Sequence, residues 1–322
     1  MDNAPTPGRT FDAVGVGRAV YDRALLVEKH PEVDQKTVAL DRWQGSGSPV
    51  PNALCQLAMW GWRTTLQAGI GGDVEGERIR AELDRIGVHT ESLQVRSTAL
   101  TPSASIWVEK KSGRRTIVLD RDLAPLSPDE LSSEAISTAR CLLLDGWETE
   151  AALEAAKIAR DNEVDVVLDA GHVRDRMDDL LAVTDWLIVP VSFTRDYFGN
   201  VDMFVATREL LARGPAGAAK GVIITNGAGG SVALARGCDP TWMTAYPVKA
   251  VDTTGAGDIF HAGFIHGLLM GWTFDACVRW ASAAAALSTT ALGARGTLPT
   301  REEVLSLLRV HQADGGFEEL TA

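Results

Sequence analysis

Short apolar runs, each followed by a stretch of helical periodicity, recur along most of this chain, and that alternation limits the fold more than any other feature. Phe11–Gly17, Thr64–Ile70, Cys141–Asp145 (CLLLD), Val164–Asp169 (VDVVLD), Trp186–Val189 and Gly221–Thr225 read as buried strands. Between them lie helical patterns. Pro51–Gly61 places Leu54, Leu57, Ala58 and Gly61 at helical spacing. Glu75–Ile86 puts Ile79, Leu83 and Ile86 on one face and charges on the other, with Gly87 as a left-handed stop. Glu150–Arg160 is a third helix, and Ala256–Met270 and Thr273–Thr290 are long helices rich in Ala and Leu. The run Ala283–Ala286 lets another element approach closely. Strands that are apolar on both faces and joined by helices imply a parallel sheet covered on both sides, an α/β fold.

Two stretches depart from that rhythm. Thr37–Trp43 and Ser103–Leu119 alternate apolar and polar residues, and Lys111-Ser112-Gly113 marks a turn within the second. A period of two implies a sheet with one wet face. The expected arrangement is a body over about residues 11–310, interrupted by a small antiparallel β-lid formed by about 18–45 and 98–121. Such a flap suits a lid over a ligand, and equally a dimer contact or a surface ornament. The residues from about Gln312 read as loosely held.

The 322 residues carry 31 Lys and Arg against 43 Asp and Glu, a net charge of −12. That balance argues against a nucleic-acid binder, which needs a basic footprint. No apolar stretch is long enough for a membrane helix, and Met1–Thr10 holds no hydrophobic leader segment. Cys55, Cys141, Cys238 and Cys277 are widely spaced and read as buried thiols in a reducing compartment. The expectation is a cytoplasmic protein with no membrane partner. Val14-Gly15-Val16-Gly17 resembles a dinucleotide-binding turn, but Val20 stands where its third glycine belongs. His261 and His266 sit five apart on a helix and read as packing or surface residues.

The segment Asp252-Thr253-Thr254-Gly255-Ala256-Gly257-Asp258 sits where extended chain turns into a long helix. Gly255 and Gly257 clear side chains from the turn. The backbone N–H groups there are the free donors of a helix N-terminus, a site for an anion and above all a phosphate. A carboxylate at Asp258 makes sense there as a base that takes a proton from an attacking hydroxyl. The same residues would also serve a simple turn capped by an aspartate.

This segment resembles the C-terminal signature of the ribokinase-like (PfkB) carbohydrate kinases. Gly69-Ile70-Gly71-Gly72-Asp73-Val74-Glu75-Gly76, Gly45–Asn52 and Thr225-Asn226-Gly227-Ala228-Gly229-Gly230 resemble further family segments, in the family's order. The region around Arg42-Trp43-Gln44 and Gly113-Arg114-Arg115-Thr116-Ile117 is similar to ketohexokinase. The resemblance implies a ribokinase-like three-layer α/β/α fold with a mainly parallel central sheet and a small antiparallel β-lid.

It also implies roles. Asp258 would be the catalytic base, and the amides of Gly255, Ala256 and Gly257 the anion hole. Asp22, near the end of the first strand, would hold sugar hydroxyls with Asn52 and the Gly47 turn. Asp145 and Arg121 would point toward the substrate, where an arginine suits an acidic group. Thr225, Gly227 and Gly230 would line the nucleotide, with Ser282 flanking its base. Asp252, Thr254, Ser288, Ala291, Gly293 and Thr297 match positions that hold a monovalent cation, K+, in relatives. ATP would come with Mg2+. At Pro190-Val191-Ser192-Phe193-Thr194 the family's N-x-x-E is absent.

The expected activity is transfer of the γ-phosphoryl group of ATP to a hydroxyl of a ketose or related sugar, by an enzyme that could pair through its lids. A nucleoside kinase and a non-catalytic sugar- or nucleotide-binding protein on the same fold are the competing readings.

Overall fold

The computed structural model describes residues 9–120, 122–215 and 219–311. Along the chain the elements are β1 (Ala13–Val16), β2 (Val20–Val27), β3 (Asp41–Gly47), α1 (Pro49–Met59), β4 (Thr64–Gln67), β5 (Gly69–Gly71), α2 (Val74–Ile86), β6 (Val88–His89) and β7 (Gln94–Arg96). There follow β8 (Ser103–Glu109), β9 (Arg115–Asp120), α3 (Ser133–Ser137), β10 (Cys141–Leu144), α4 (Thr149–Asp161), β11 (Asp165–Asp169), α5 (Met177–Ala182) and β12 (Trp186–Pro190). The chain closes with α6 (Val191–Phe198), α7 (Met203–Arg213), β13 (Gly221–Thr225), β14 (Ser231–Ala235), β15 (Thr241–Met243), α8 (Ala256–Met270), α9 (Phe274–Ser288) and α10 (Arg301–Val310).

Among the described residues a nine-stranded sheet runs β15-β14-β13-β12-β11-β10-β1-β4-β6. It is parallel from β6 to β13, and β14 and β15 add antiparallel strands at one edge. The apolar strands have both faces buried, as their composition requires. Leu143, Val167, Ile188 and Ile223 pack with α1, α2, α8, α9 and α10 on one side. Leu142, Leu144, Val166, Leu168 and Ile224 pack with α3–α7 on the other. The result is three layers. Helices α8 and α9 lie so close that a Cβ on Gly263 would stand 2.5 Å from the Ala281 Cα.

Helix α2 shows how locally the sequence sets an element. The Asp73 side chain accepts from the Gly76 N–H at the N-cap, Ile79 and Leu83 are buried, and Gly87 takes φ 101° at the C-terminus. Thr64–Ile70, read as one strand, divides: β4 belongs to the main sheet, and β5 leaves it to pair with β7.

The small sheet has the order β3-β2-β8-β9. Its outer pairings are antiparallel and its middle pairing, β2 with β8, is parallel. Thr37–Leu40 lies outside it. The strand begins at Asp41 and continues to Gly47, the span paired residue by residue with β2, and Leu40 adds a single backbone bond to Leu26 before it. Ala24, Ala104, Ile106 and Val108 form its inner face, joined by Leu292 from the loop after α9. No helix among the described residues is long and apolar enough to cross a membrane. Cys55, Cys141 and Cys277 are buried as expected, but Cys238 is exposed, since it lies in the turn after β14.

Candidate active site

The chain order reverses direction in the main sheet between β1 and β10. Open α/β sheets bind ligands beyond the carboxyl ends of their strands at such a point. There the structure forms a cleft of about 210 Å3. Its floor is Asn52 of α1 with Thr254, Gly255 and Asp258 at the start of α8. The small sheet covers it with Asp22, Ala104, Ile106, Arg115, Ile117 and Leu119, while Arg18 and Trp147 close the end beside β1 and β10.

Asp258 is the third residue of α8, whose N-cap Gly255 has φ 80°. A side chain at Gly255 would meet the Ala294 carbonyl at 2.5 Å, so the turn needs glycine both for its left-handed backbone and for its close approach. Among the described residues the Gly255 and Gly257 N–H groups meet no backbone acceptor, and Ala256 N–H makes only a long 3.4 Å bond to the Thr253 carbonyl. The Asp258 carboxylate accepts from Asn52 Nδ2 at 2.6 Å. Burial pushes its pKa up, while the Asn52 bond, His261 and Arg115 pull the other way. Asn52 Oδ1 is buried without a hydrogen-bond partner, so the site keeps an acceptor for a ligand hydroxyl.

Asp22 faces Asp258 across the cleft. It lies in β2, not at the end of the first strand, because the chain turns into the small sheet directly after β1. It is 6% exposed, and a Cβ on Gly47 would stand 2.0 Å from its Oδ2. Glycine at 47 is what leaves room for that carboxylate. No hydrogen bond from a described residue reaches it, and burial raises its pKa to about 7. Asp145 sits one layer back. It accepts from the backbone N–H groups of Arg18 (3.0 Å) and Trp147 (2.9 Å), and burial raises it to about 7 as well. It thereby braces the two segments that wall the cleft. Arg121 lies outside the described residues.

Asp252 is fully buried. Its Oδ1 accepts from Thr254 N and Oγ1, and its Oδ2 from Gly293 N at 2.8 Å. No cationic side chain among the described residues pairs with it. A buried carboxylate with no counter-charge fits a bound monovalent cation. Ser288, Ala291, Gly293 and Thr297 stand on the end of α9 and the loop that wraps Asp252. That loop also carries Ala294 against Gly255 and Gly293 against Trp43 of β3, where a Cβ would approach the indole to 2.2 Å. Among the described residues no cluster of three or more His, Cys, Asp or Glu could cage a divalent metal. That suits Mg2+, which needs few protein ligands when it arrives on a nucleotide's phosphates.

Thr225 ends β13, and Gly227 (φ 53°) and Gly230 (φ 92°) form the turn into β14. A side chain at Gly230 would meet the Met243 carbonyl at 2.2 Å. Ser282 lies half-buried on α9. These four stand apart from the lining of the sugar-sized cleft. His261 is buried, with Nδ1 2.7 Å from the Gly257 carbonyl and 3.2 Å from Asp169 Oδ2, and Nε2 3.3 Å from the Ile188 carbonyl. It ties the start of α8 to the ends of β11 and β12, which its spacing from His266 did not suggest. Sequence reasoning also gave no site role to Arg18, Arg115, Trp147 and Ala294. The only signal was that each neighbours a strand end or glycine turn.

Solved structures with this architecture include ribokinases. A ribokinase from Thermotoga maritima superposes with a TM-score of 0.80 at 25% identity, covering 93% of this chain and 99% of its own. The Arabidopsis thaliana ribokinase complexed with ribose and ATP gives 0.79 at 26% identity, with 93% and 99% covered. The pfkB family carbohydrate kinase model matches residues 11–301, and the chain belongs to that family. The ribokinase of Haemophilus influenzae is 31% identical over 269 residues, 81% of this chain and 87% of its own length. A 5-dehydro-2-deoxygluconokinase of Listeria monocytogenes (27%, covering 93% and 96%) and a nucleoside kinase of Methanothermobacter thermautotrophicus (25%, covering 91% and 94%) are also similar. The protein is thus a phosphotransferase that acts on an alcohol group.

Proposed function

We propose that this enzyme transfers the γ-phosphoryl group of ATP to a hydroxyl of a ketose or related sugar, with Asp258 as the base. The observation that carries the reading is the placement of the Asp258 carboxylate beside the unoccupied N–H groups of Gly255 and Gly257, across one cleft from Asp22 and Asn52. Asp22 accepts two sugar hydroxyls at once. Asn52 offers its open Oδ1 to a third while fixing Asp258 through Nδ2. Asp258, made more basic by burial, takes the proton of the attacking hydroxyl.

The N–H groups of 255–257 and the positive end of the α8 dipole then face the charge that develops on the transferred group. Arg115, held to Thr253 Oγ1 at 3.1 Å, adds a guanidinium on the same side. Thr225, Gly227, Gly230 and Ser282 hold the nucleotide. The Mg2+ that accompanies ATP shares the charge of its phosphates. The small sheet acts as a lid that keeps water from the cleft. K+ occupies the Asp252 loop. The widely spaced cysteines, three of them buried, suit a reducing, cytoplasmic setting.

Among the described residues no strand lies beside the β9 edge of the lid, and Trp107 and Val118 point outward (37% and 59% exposed). That edge supports a dimer through the lids. The apolar wall of Val20, Ala104, Ile106 and Leu119 would also receive the base of a nucleoside, the second reading. ADP release on a panel of D-fructose, D-ribose, acidic sugars and nucleosides tests the assignment. Turnover on one of them that Asp258→Asn abolishes is expected. Ligand binding with no ADP release from any panel member would leave a binding protein.

A further inference from the structure

Beneath the sugar side of the cleft lies a cation that the mechanism does not use. Arg295 stands in the loop between α9 and α10, 8% exposed, its side chain 2% exposed. Its Nη2 pairs with Glu82 of α2 at 2.9 Å. Its Nη1 lies 3.1 Å from Cys55 Sγ of α1 and 3.4 Å from Ser46 Oγ of β3. Glu82 Oε2 in turn accepts the Ser46 N–H at 2.7 Å. Ser46 adjoins Gly47, the glycine that leaves room for the Asp22 carboxylate, and Asp22 pairs with Gly45 in the β2–β3 register. The guanidinium is therefore built into the back wall of the Asp22 pocket.

A guanidinium stays charged at every working pH. The charged groups that act on Asp22 are Arg295 from the loop, Asp258 from α8 and Glu82 from α2, while Arg18, Arg115 and Asp120 line the same cleft. Two of the first three are acids. Without the arginine Asp22 would be a buried carboxylate among like charges and would take up a proton. A protonated Asp22 would lose the ability to accept from two hydroxyls at once.

We propose that Arg295 is the positioning residue of the sugar subsite, an internal counter-cation that offsets part of the cost of burying Asp22, so that the carboxylate still ionises at neutral to mildly alkaline pH and opens both oxygens to substrate hydroxyls. The proposal rests on Asp22 as the hydroxyl acceptor, so its test is made first without substrate. Infrared difference spectra of the intact chain minus Asp22→Asn isolate the protonated-carboxyl band of Asp22 and follow it with pH. The expected wild-type midpoint is about 7, pushed up by burial. Arg295→Gln moves the midpoint up by about one unit or more, and Arg295→Lys restores it.

If Arg295→Gln fails to fold with Glu82 unpaired, Arg295→Gln/Glu82→Gln carries the measurement, with a smaller upward shift. An unchanged or lowered midpoint in the folded variant overturns the proposal. Calorimetry of D-fructose on the Asp258→Asn background, where Asp258 no longer titrates, follows. Binding weakens about fivefold at neutral pH in Arg295→Gln, as the ionised fraction falls from about one half to about one tenth, and recovers about one pH unit higher. An equal loss at all pH values marks a structural role only and overturns it. Absence of D-fructose binding by any variant counts against the ketose assignment, and the infrared result still decides the role of Arg295.

Discussion

Replacing Asp22 with asparagine trades function for stability, and the trade depends on pH. Burial raises the Asp22 pKa from 3.8 to about 7 in the folded chain. The folded protein thus holds a proton that the unfolded chain has released. Stability from that proton is full below about pH 4 and is lost as pH rises through about 7. The shift of about three units, at about 1.4 kcal/mol each, amounts to about 4 kcal/mol at pH 8 and to less than half of that at pH 5.

Asparagine keeps the volume and polarity of the protonated acid and never ionises. At about 2.1 cal/mol/K per residue the unfolding entropy of a chain near 300 residues is about 0.6 kcal/mol/K, so Asp22→Asn raises Tm by about 6 °C at pH 8 and about 2–3 °C at pH 5. Differential scanning calorimetry of the two proteins at both pH values reads this directly. Sugar turnover measured alongside collapses, because one acceptor oxygen becomes a donor. A Tm gain that is equal at pH 5 and pH 8, or a loss at either, would refute the claim that Asp22 is a desolvated carboxylate facing an open cleft.

Other expectations follow from the same geometry. Asp258→Asn lowers kcat by about 10²–10⁴-fold, about 3–5 kcal/mol, without lowering Tm at pH 8; a loss under tenfold removes Asp258 as the base. Gly255→Ala forces a side chain to within 2.5 Å of the Ala294 carbonyl at φ 80°, so it cuts kcat by more than tenfold, and a fully active variant would show that the turn tolerates rearrangement. Replacing K+ with choline at constant ionic strength lowers kcat if the Asp252 loop binds the ion, and an unchanged rate under both salts speaks against that site. Val118→Lys, on the outward face of β9, shifts the protein to monomer in sedimentation velocity if the lids pair, and identical profiles for both chains dismiss the pairing.

The main sheet was legible because its strands are apolar on both faces, as in CLLLD and VDVVLD. The small sheet was harder to place. Strand β2 (VYDRALLV) sets Asp22 among Val20, Ala24 and Leu26 on its inner face and Arg23 beside it, and this interrupts the apolar alternation that would have marked it as a strand. Thr37–Leu40 alternates as a strand should, but Val38 remains 83% exposed for want of a partner. The turn at 252–258 was legible because glycines and an aspartate at fixed spacing act locally. What closes the site is not local. Arg295 reaches Ser46 across 249 positions, and Asn52 reaches Asp258 across 206. No window of sequence holds both ends of such a contact, and a lone buried arginine looks in sequence like any surface one.

The loop after α9 touches both halves of the candidate site. Leu292 plugs the underside of the lid, Gly293 packs on Trp43 at the lid's root and bonds Asp252, and Ala294 backs Gly255 where the phosphate cradle begins. One loop therefore spans the small sheet and the start of α8, the sugar gate and phosphoryl seat of the proposed reaction. On that proposal an outward swing of the gate slackens the seat, and the enzyme is expected to waste little nucleotide on water while no acceptor is aboard. Comparing ADP release with and without sugar, in wild type and in Trp43→Ala, would reveal whether cutting that link lets idle hydrolysis rise.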